Sequence, residues 1–124
     1  MKYPIRYTQV SRRSSLQRSK VESYIGFSIK SGKLTCGTNA IALQKKDVFL
    51  LIMCKSASEN AKKEALKLKK KFNCELIISC GKLLEEITGK PNLKLAAVRD
   101  SGLAKAILSN TDENFELYSG GNNQ

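Results

Sequence analysis

The sequence predicts an α/β protein in which helices cover both faces of a small sheet. Three short segments are almost continuously apolar, at residues 48–54, 74–79 and 95–98. Segments of this length without polar alternation are typical of strands that are covered on both faces. The stretches between them instead repeat apolar residues at helical spacing, which is typical of helices that pack on one side.

The chain has 124 residues, which is the length of one domain. Its apolar fraction of 41% is too high for a disordered chain, and no apolar run approaches the length of a membrane-spanning helix. We therefore expect one domain at residues 21–110, between a flexible basic arm at residues 1–20 and a flexible tail at residues 111–124. The basic N-terminus has no apolar segment typical of a signal peptide, which favours a cytoplasmic location.

The first part of the domain predicts two helices joined by a short extended segment. Apolar spacing predicts a helix at residues 21–31, and Gly32 suits the left-handed position that ends it. Residues 33–36 are predicted to be extended. Gly37 then begins a second helical stretch at residues 38–46.

A strand, a helix and a strand follow in the middle of the chain. After the apolar segment 48–54, Ser56-Ala-Ser-Glu59 has the spacing of a capping box, and Asn73 suits the end of the helix. The second apolar segment, 74–79, comes next. Two strands joined in this way predict a right-handed parallel crossover.

The last third predicts two helices around one strand. A short helix at residues 82–88 is closed by Gly89, and residues 95–98 form the strand. Asp100 is placed to cap a final helix at residues 101–109.

The net charge of +11 indicates a polyanionic partner, with nucleic acid preferred over an anionic membrane surface. Part of this charge lies in the predicted arm, which has no acidic residue and is expected to add phosphate contacts; its basic residues are Lys2, Arg6, Arg12, Arg13, Arg18 and Lys20. The lysine-rich helical stretch at residues 62–71 fits a solvated helix face better than an RNA surface.

The composition excludes several kinds of catalytic and metal site. Without histidine there is no Ser-His-Asp or Cys-His nucleophilic site and no Cys/His zinc site. The four cysteines, Cys36, Cys54, Cys74 and Cys80, form no C-x-x-C pair, and Cys54 and Cys74 suit small buried positions. We therefore expect neither an enzyme nor a bound metal or organic cofactor.

Gly37-Thr38-Asn39 is a candidate RNA-binding segment because it begins a predicted helix, where the first amides are unpaired and partly positive. Glycine permits close approach of a phosphate backbone, and Thr38 and Asn39 carry groups able to bond a base edge or a 2′-hydroxyl. Lys33 is close to them in the sequence. The same three residues are also an ordinary helix start, so both interpretations stay open on these residues alone.

Four short segments occur in the order seen in a known family: IGFSIKSGKL at 25–34, CGTN at 36–39, ASENAKK at 57–63 and AVRDSGLAKAI at 97–107. With them the chain resembles the kink-turn RNA-binding ribosomal protein family (the L-seven-Ae and L-thirty-e type) over residues 21–108. It looks most similar to the small bacterial YlxQ-like members. The resemblance implies a three-layer α-β-α sandwich with a four-stranded mixed sheet.

The resemblance also implies an RNA-binding function without a cofactor. Structured, kink-turn-like RNA would dock through the N-terminus of the second helix at Gly37, Thr38 and Asn39, with Lys33 close by. Ribosomal RNA or a structured mRNA leader is the implied target, and the ribosome or translation-related proteins are further partners. We expect a monomer and no membrane partner.

Two further loops are placed beside that helix by the same resemblance. Lys55 would contact a phosphate, and the loop of Leu93, Lys94 and Leu95 would cover an extruded base with apolar side chains. For Leu93 the alternative is that it seals the sheet edge.

Two positions depart from the family motif Gly-x-Asn-Glu-x-x-Lys. Gly37 and Asn39 match it, but Ala40 replaces the usual Glu or Gln and Leu43 replaces the usual Lys. Neither apolar side chain can make the polar contact of the residue it replaces. The alternative function is therefore a protein-interaction module on the same fold that has lost kink-turn specificity.

Overall fold

The structure is a computed structural model that describes residues 19–118. Residues 1–18 of the predicted arm and 119–124 of the predicted tail lie outside the described residues. Within the described range the predicted α/β class is confirmed. Its elements are α1 Lys20–Lys30, β1 Leu34–Cys36, α2 Thr38–Ala42, β2 Leu50–Cys54, α3 Glu59–Phe72, β3 Glu75–Ser79, α4 Leu84–Thr88, β4 Leu95–Val98, α5 Ser101–Ser109 and β5 Phe115–Leu117.

The strands form one mixed sheet with the order β1-β4-β2-β3-β5. β2 and β3 are parallel neighbours connected by α3, as the sequence predicts. The other three strand pairings are antiparallel. The expectation of four strands is wrong, because Phe115–Leu117 adds a fifth strand along β3. This strand lies within the segment expected to be a flexible tail, and it is held there because the Phe115 ring is buried in the core.

Helices pack on both faces of the sheet, and the central strand β2 contributes side chains to the core on each face. All five β2 residues are buried, and their side chains alternate between the two faces. Leu50, Ile52 and Cys54 join a first core under α1, α4 and α5. Leu51 and Met53 join a second core under α2 and α3.

Local hydrogen bonds explain where α3 and α5 begin and end. Asp100 caps α5 as predicted, since its Oδ2 accepts a 2.8 Å hydrogen bond from Leu103 N. The cap of α3 is Ser58 rather than Ser56, because Ser58 Oγ accepts from Ala61 N at 3.2 Å. Asn73 ends α3 in the left-handed conformation, as its identity suggests.

The second helix is shorter than the sequence predicts. It ends at Ala42, and the chain continues through Lys45, Lys46 and Asp47 to β2. Asp47 has a positive φ of 67°, which turns the chain into the sheet. No helix among residues 19–118 has both the length and the apolar content required to cross a bilayer.

Candidate nucleic-acid interface

Strand directions bring most of the predicted site to one edge of the sheet. β1, β2 and β3 run in the same direction, and β4 and β5 run against them. The carboxyl ends of β1, β2 and β3 therefore share an edge with the starts of β4 and β5. We call this edge, with the loops attached to it, the loop edge.

Gly37 connects β1 to α2 at the loop edge. Its amide donates a 2.9 Å hydrogen bond to Leu95 O of β4, so this amide is already used by the sheet. Its carbonyl accepts from Ile41 N at 3.0 Å, which closes the single turn of α2. Because Gly37 has no capping side chain, the amides of Thr38 and Asn39 at the start of α2 receive no cap from it. Asn39 is exposed and Thr38 is half-buried.

Lys94 and Lys55 lie on the next two strands along the same edge. Lys94 O accepts from Cys54 N at 2.8 Å, which places Lys94 beside the end of β2. Lys94 Nζ donates to Ser56 Oγ at 2.8 Å, and Lys55 Nζ donates to Gly81 O at 3.1 Å. These contacts fix two ammonium groups above adjacent strand ends.

Neighbouring strands lie about 4.8 Å apart, so Gly37 on β1 and Lys55 on β2 are separated by about 10 Å across β4. Asn39 at the start of α2, Lys94 before β4 and Lys55 after β2 all belong to connections at the loop edge, and we call these three residues the donor strip. A strip of amide and ammonium donors suits phosphate and hydroxyl groups of a nucleic acid backbone.

Sequence reasoning missed two lysines at this edge. Lys82 follows β3 and pairs with Glu22 of α1 at 3.2 Å, and Lys90 lies close enough to Cys36 to oppose the rise in its pKa. Both belong to loops next to strand ends, as Lys55 and Lys94 do. That shared position in the element order was the signal available in the sequence.

Each of three loop-edge lysines acts to lower the pKa of a different cysteine thiol. Burial raises the pKa of the Cys36 and Cys80 thiols, and Lys90 and Lys55 respectively oppose that rise. For Cys54, burial also acts upward, but hydrogen bonds from Ser56 and the Leu84 amide, together with Lys94, outweigh it and lower the pKa. At Cys80 the nearby Glu116 carboxylate acts in the same direction as burial, against Lys55, whereas among the described residues no carboxylate opposes Lys90 at Cys36 or Lys94 at Cys54.

Carboxylates at the same edge have partners of their own. Glu22 accepts from Lys82 Nζ, and Glu86 Oε1 accepts from Leu83 N at 2.8 Å within the start of α4. Neither of these acids pairs with Lys55 or Lys94 among the described ion pairs. Glu116 of β5 acts on the Cys80 thiol together with Lys55, so the Lys55 end of the donor strip carries charges of both signs.

The structure places Lys33 away from the rest of the predicted site. Lys33 precedes β1, whereas Gly37 follows it, so the strand separates them by about 13 Å. Lys33 O accepts from Arg99 N at 2.8 Å, at the end of β4 and the opposite edge of the sheet. Lys33 therefore lies at the opposite edge of the sheet from Gly37, and its contact with RNA stays a prediction.

Leu93 and Leu95 are also misplaced as RNA contacts. Leu93 is 7% exposed and packs in the first core, and Leu95 is 1% exposed and packs in the second. Neither side chain can cover an extruded base while it fills a core. Leu93 instead follows the alternative expectation and seals the sheet edge.

Among residues 19–118, no group of three or more Cys, Asp and Glu residues is arranged to hold a metal ion. Cys54 is buried as predicted, whereas Cys74 is only half-buried.

The fold and the donor strip together define an α/β protein with a cationic loop edge. No family model and no curated protein matches the chain. Among solved structures, it is similar to a protein of unknown function from Bacillus halodurans, at 19% identity and a TM-score of 0.60. The match covers 74% of this chain and 96% of that one. A likeness at this identity shows the shared fold alone.

Proposed function

We propose that this protein binds structured RNA through the loop edge. The observation that carries the proposal is the donor strip, in which the ammonium groups of Lys94 and Lys55 are held at the ends of adjacent strands and exposed Asn39 lies at the start of α2, at the same edge. Phosphate oxygens of a folded RNA are hydrogen-bond acceptors, and ammonium and amide donors are the groups that bind them.

The charge of the whole chain supports the same choice of partner. Twenty-two basic residues face 11 acidic ones, and such an excess favours association with polyanions. The described body begins at Ser19, next to the start of α1, where Glu22 pairs with Lys82 of the loop edge. Ser19, the first described residue, therefore lies on the same side of the body as Lys82.

The sequence resemblance to the kink-turn-binding family favours an RNA with a sharply bent internal loop as the target. Of the predicted contacts, Gly37, Thr38, Asn39, Lys55 and Lys94 lie at the loop edge and enter this proposal. Lys33, Leu93 and Leu95 do not, for the geometric reasons given above.

The test is to measure RNA affinity as a function of salt for the wild type and for the Lys55→Gln, Lys94→Gln double variant. Each phosphate contact contributes about 0.7–0.9 to the slope of log affinity against log salt. The double variant should therefore lower the slope by about 1.4–1.8 and weaken binding at low salt. The RNA is a kink-turn duplex, compared with the same duplex whose G·A pairs are disrupted.

Lys63→Gln with Lys67→Gln is the matched control, since both lysines are exposed on α3 and the pair removes the same charge. If the control lowers the slope as much as the double variant, net charge alone drives binding and the interface is elsewhere. Equal affinity for the two duplexes would refute kink-turn specificity while leaving the donor strip as a general RNA contact.

A protein partner at the same edge is the second candidate function, because the surface of α2 is more apolar than a phosphate contact requires. Leu43, directly after α2, is 80% exposed, and Ala40 and Ala42 beside it are exposed as well. A Leu43→Lys variant discriminates between the candidates. If the edge binds RNA, this variant should bind RNA more tightly. If the edge binds a protein, the variant should bind that protein partner less tightly.

A further inference from the structure

A cavity of about 460 Å³ opens at the edge of the sheet opposite the loop edge. It lies where β2 and β3 begin and α3 ends. Its volume is within the range of pockets that hold a small ligand. The lining residues that matter here are Asp47, Phe49, Lys69, Phe72, Asn73 and Glu75.

Two aromatic residues give the cavity apolar surface. Phe49 is 39% exposed although it directly precedes the central strand, and its amide is anchored to Val98 O at 2.9 Å. Phe72 is the last residue of α3 and packs partly on the second core. Exposed aromatic side chains on a rigid backbone are suited to stacking on a nucleobase.

Phe72 is held in place by its neighbour Lys71. Lys71 Nζ lies 5.0 Å from the centroid of the Phe72 ring and donates to Ala42 O at 2.8 Å. This pair of contacts ties the end of α3 to the end of α2. The aromatic wall of the cavity is therefore preorganised, which lowers the entropic cost of binding.

Charges of both signs gather at the same place. Lys69 and Glu75 both act on the Cys74 thiol, with Lys69 lowering and Glu75 raising its pKa, so both charged groups lie close to it. Asp47 adds a second carboxylate residue to the lining. Outside the cavity, the adjoining residues are basic and exposed: Lys45, Lys46, Lys70 and Lys71.

We propose that this cavity binds a guanine nucleotide, either free or as an unpaired residue of an RNA chain. Carboxylates only accept hydrogen bonds, and guanine presents two neighbouring donors, N1–H and the N2 amino group, on one edge. The exposed Phe49 ring supplies the stacking surface, and the exposed lysines Lys45, Lys46 and Lys70 supply positive charge for the phosphate. This proposal does not rest on the function assigned to the loop edge.

The test is a titration of isotope-labelled protein with GMP and AMP, followed through the backbone amide signals of Phe49 and Asn73. GMP should shift both signals and bind about tenfold more tightly than AMP, because guanine offers donors on two neighbouring groups, whereas the N1 atom beside the amino group of adenine is an acceptor. Phe49→Ala should weaken binding of both nucleotides by roughly tenfold, the loss expected when a stacking ring is removed.

The Asp47→Asn, Glu75→Gln double variant tests the basis of the preference, and it should reduce the GMP to AMP ratio to about one. Asparagine adopts positive φ readily, so the turn at Asp47 is preserved. Lys63→Gln, on α3 but outside the cavity lining, is the control that should change nothing. Thermal unfolding of every variant checks that the fold is intact.

The source of the nucleotide is decided with the single-stranded RNAs UUGUU and UUAUU. Tighter binding of UUGUU than of GMP assigns the cavity to an RNA chain, and equal binding assigns it to a free nucleotide. The proposal is overturned if millimolar GMP leaves the Phe49 and Asn73 signals unmoved, or if the double carboxylate variant keeps the preference. The Lys55→Gln, Lys94→Gln variant should bind GMP normally, so either proposal is able to fail alone.

Discussion

Gly37 is the residue at which the backbone of the loop edge is most constrained. Its φ of 96° and ψ of 142° lie in a region that side chains other than glycine rarely adopt. Space does not impose this identity, since an added Cβ would meet no atom within 4 Å. The turn from β1 into α2, and with it the position of Asn39, therefore depends on backbone freedom at one residue.

Gly37→Ala should lower the free energy of unfolding by about 1–3 kcal/mol, the usual cost of such a conformation in a residue with a Cβ. Gly26→Ala is the matched control, because Gly26 lies inside α1 with open space around it. That change should instead stabilise the protein by about 0.5–1 kcal/mol. Urea unfolding gives the free energy of unfolding of both variants. An equal decrease in that free energy at both positions would show that the backbone conformation of Gly37 carries no special cost.

Cys74 makes stability depend on pH in the alkaline range. Burial raises the pKa of its thiol from the ordinary 9.0 to about 11, with Lys69 opposing and Glu75 supporting the shift. The folded protein therefore retains this proton after the unfolded chain has lost it. The stabilising contribution is complete below pH 9 and is lost as the pH rises towards 11.

Cys74→Ala should consequently flatten the decline of the free energy of unfolding between pH 9 and 11. Denaturant unfolding at several pH values, for the wild type and the variant, gives the two curves. Parallel curves would show that the thiol does not titrate differently in the two states. Other groups also titrate there, so the difference between the curves is the quantity that tests the prediction.

Among the elements, β5 is short but contributes to the core of the fold. It has three residues, yet it covers the outer side of β3 and buries the Phe115 ring in the first core. Its backbone is also joined to the loop after β3, where Asn114 O accepts from Cys80 N at 2.7 Å. The strand thus also supports the loop that contains Gly81, to which Lys55 donates.

Phe115→Ala should lower the free energy of unfolding by about 3–5 kcal/mol, as for other large aromatic side chains removed from a core. Leu117→Ala in the same strand removes a side chain that is 50% exposed and should cost less than about 1 kcal/mol. Thermal or chemical unfolding distinguishes them. Similar small losses at both positions would mean that β5 does not belong to the cooperative unit.

The elements differ in how far the sequence predicted them. The strand at Leu95–Val98 and the helix at Ser101–Ser109 have the predicted bounds, because local apolar spacing and the Asp100 cap suffice to define them. β5 was missed because one buried ring among polar residues gives no periodic signal. The cap of α3 lies two residues beyond the predicted one, since Ser56 bonds Lys94, a residue far away in the sequence.

Part of the candidate site was predictable because the order of the elements determines which strand ends lie at the same edge. Lys55 and Lys94 come together with Gly37 because strand ends meet at one edge, which element order indicates. Lys33 is near Gly37 in the sequence but distant in space, because an extended strand separates them. Whether Leu93 points outwards depends on packing in the first core, and no local pattern determines that.

At the scale of the whole molecule, the dominant property is the excess of positive charge. A net charge of +11 on 124 residues produces self-repulsion that opposes the compact state. Added salt screens that repulsion, whereas it weakens contacts with an RNA backbone. Stability and RNA affinity should therefore respond to salt in opposite directions.

Raising sodium chloride from about 20 to about 200 mM, over which the Debye length falls from roughly 20 to 7 Å, should raise the melting temperature by a few degrees. Affinity for the kink-turn duplex should fall over the same range. Circular dichroism melts and binding titrations in the same buffers provide the comparison. A melting temperature that falls with salt would show that attractive charge pairs outweigh repulsion in the fold.

The alternation of β2 side chains between two separate cores also has an evolutionary consequence. A change of side-chain volume at Leu51 or Met53 must be accommodated by residues of the second core, under α2 and α3. A change at Leu50 or Ile52 must be accommodated by residues of the first core. Ile41 of α2 belongs to the second core, so drift in the interior on that side tilts the helix that borders the donor strip. The orientation of α2 is thus able to change through substitutions at buried positions, with every exposed residue left unchanged.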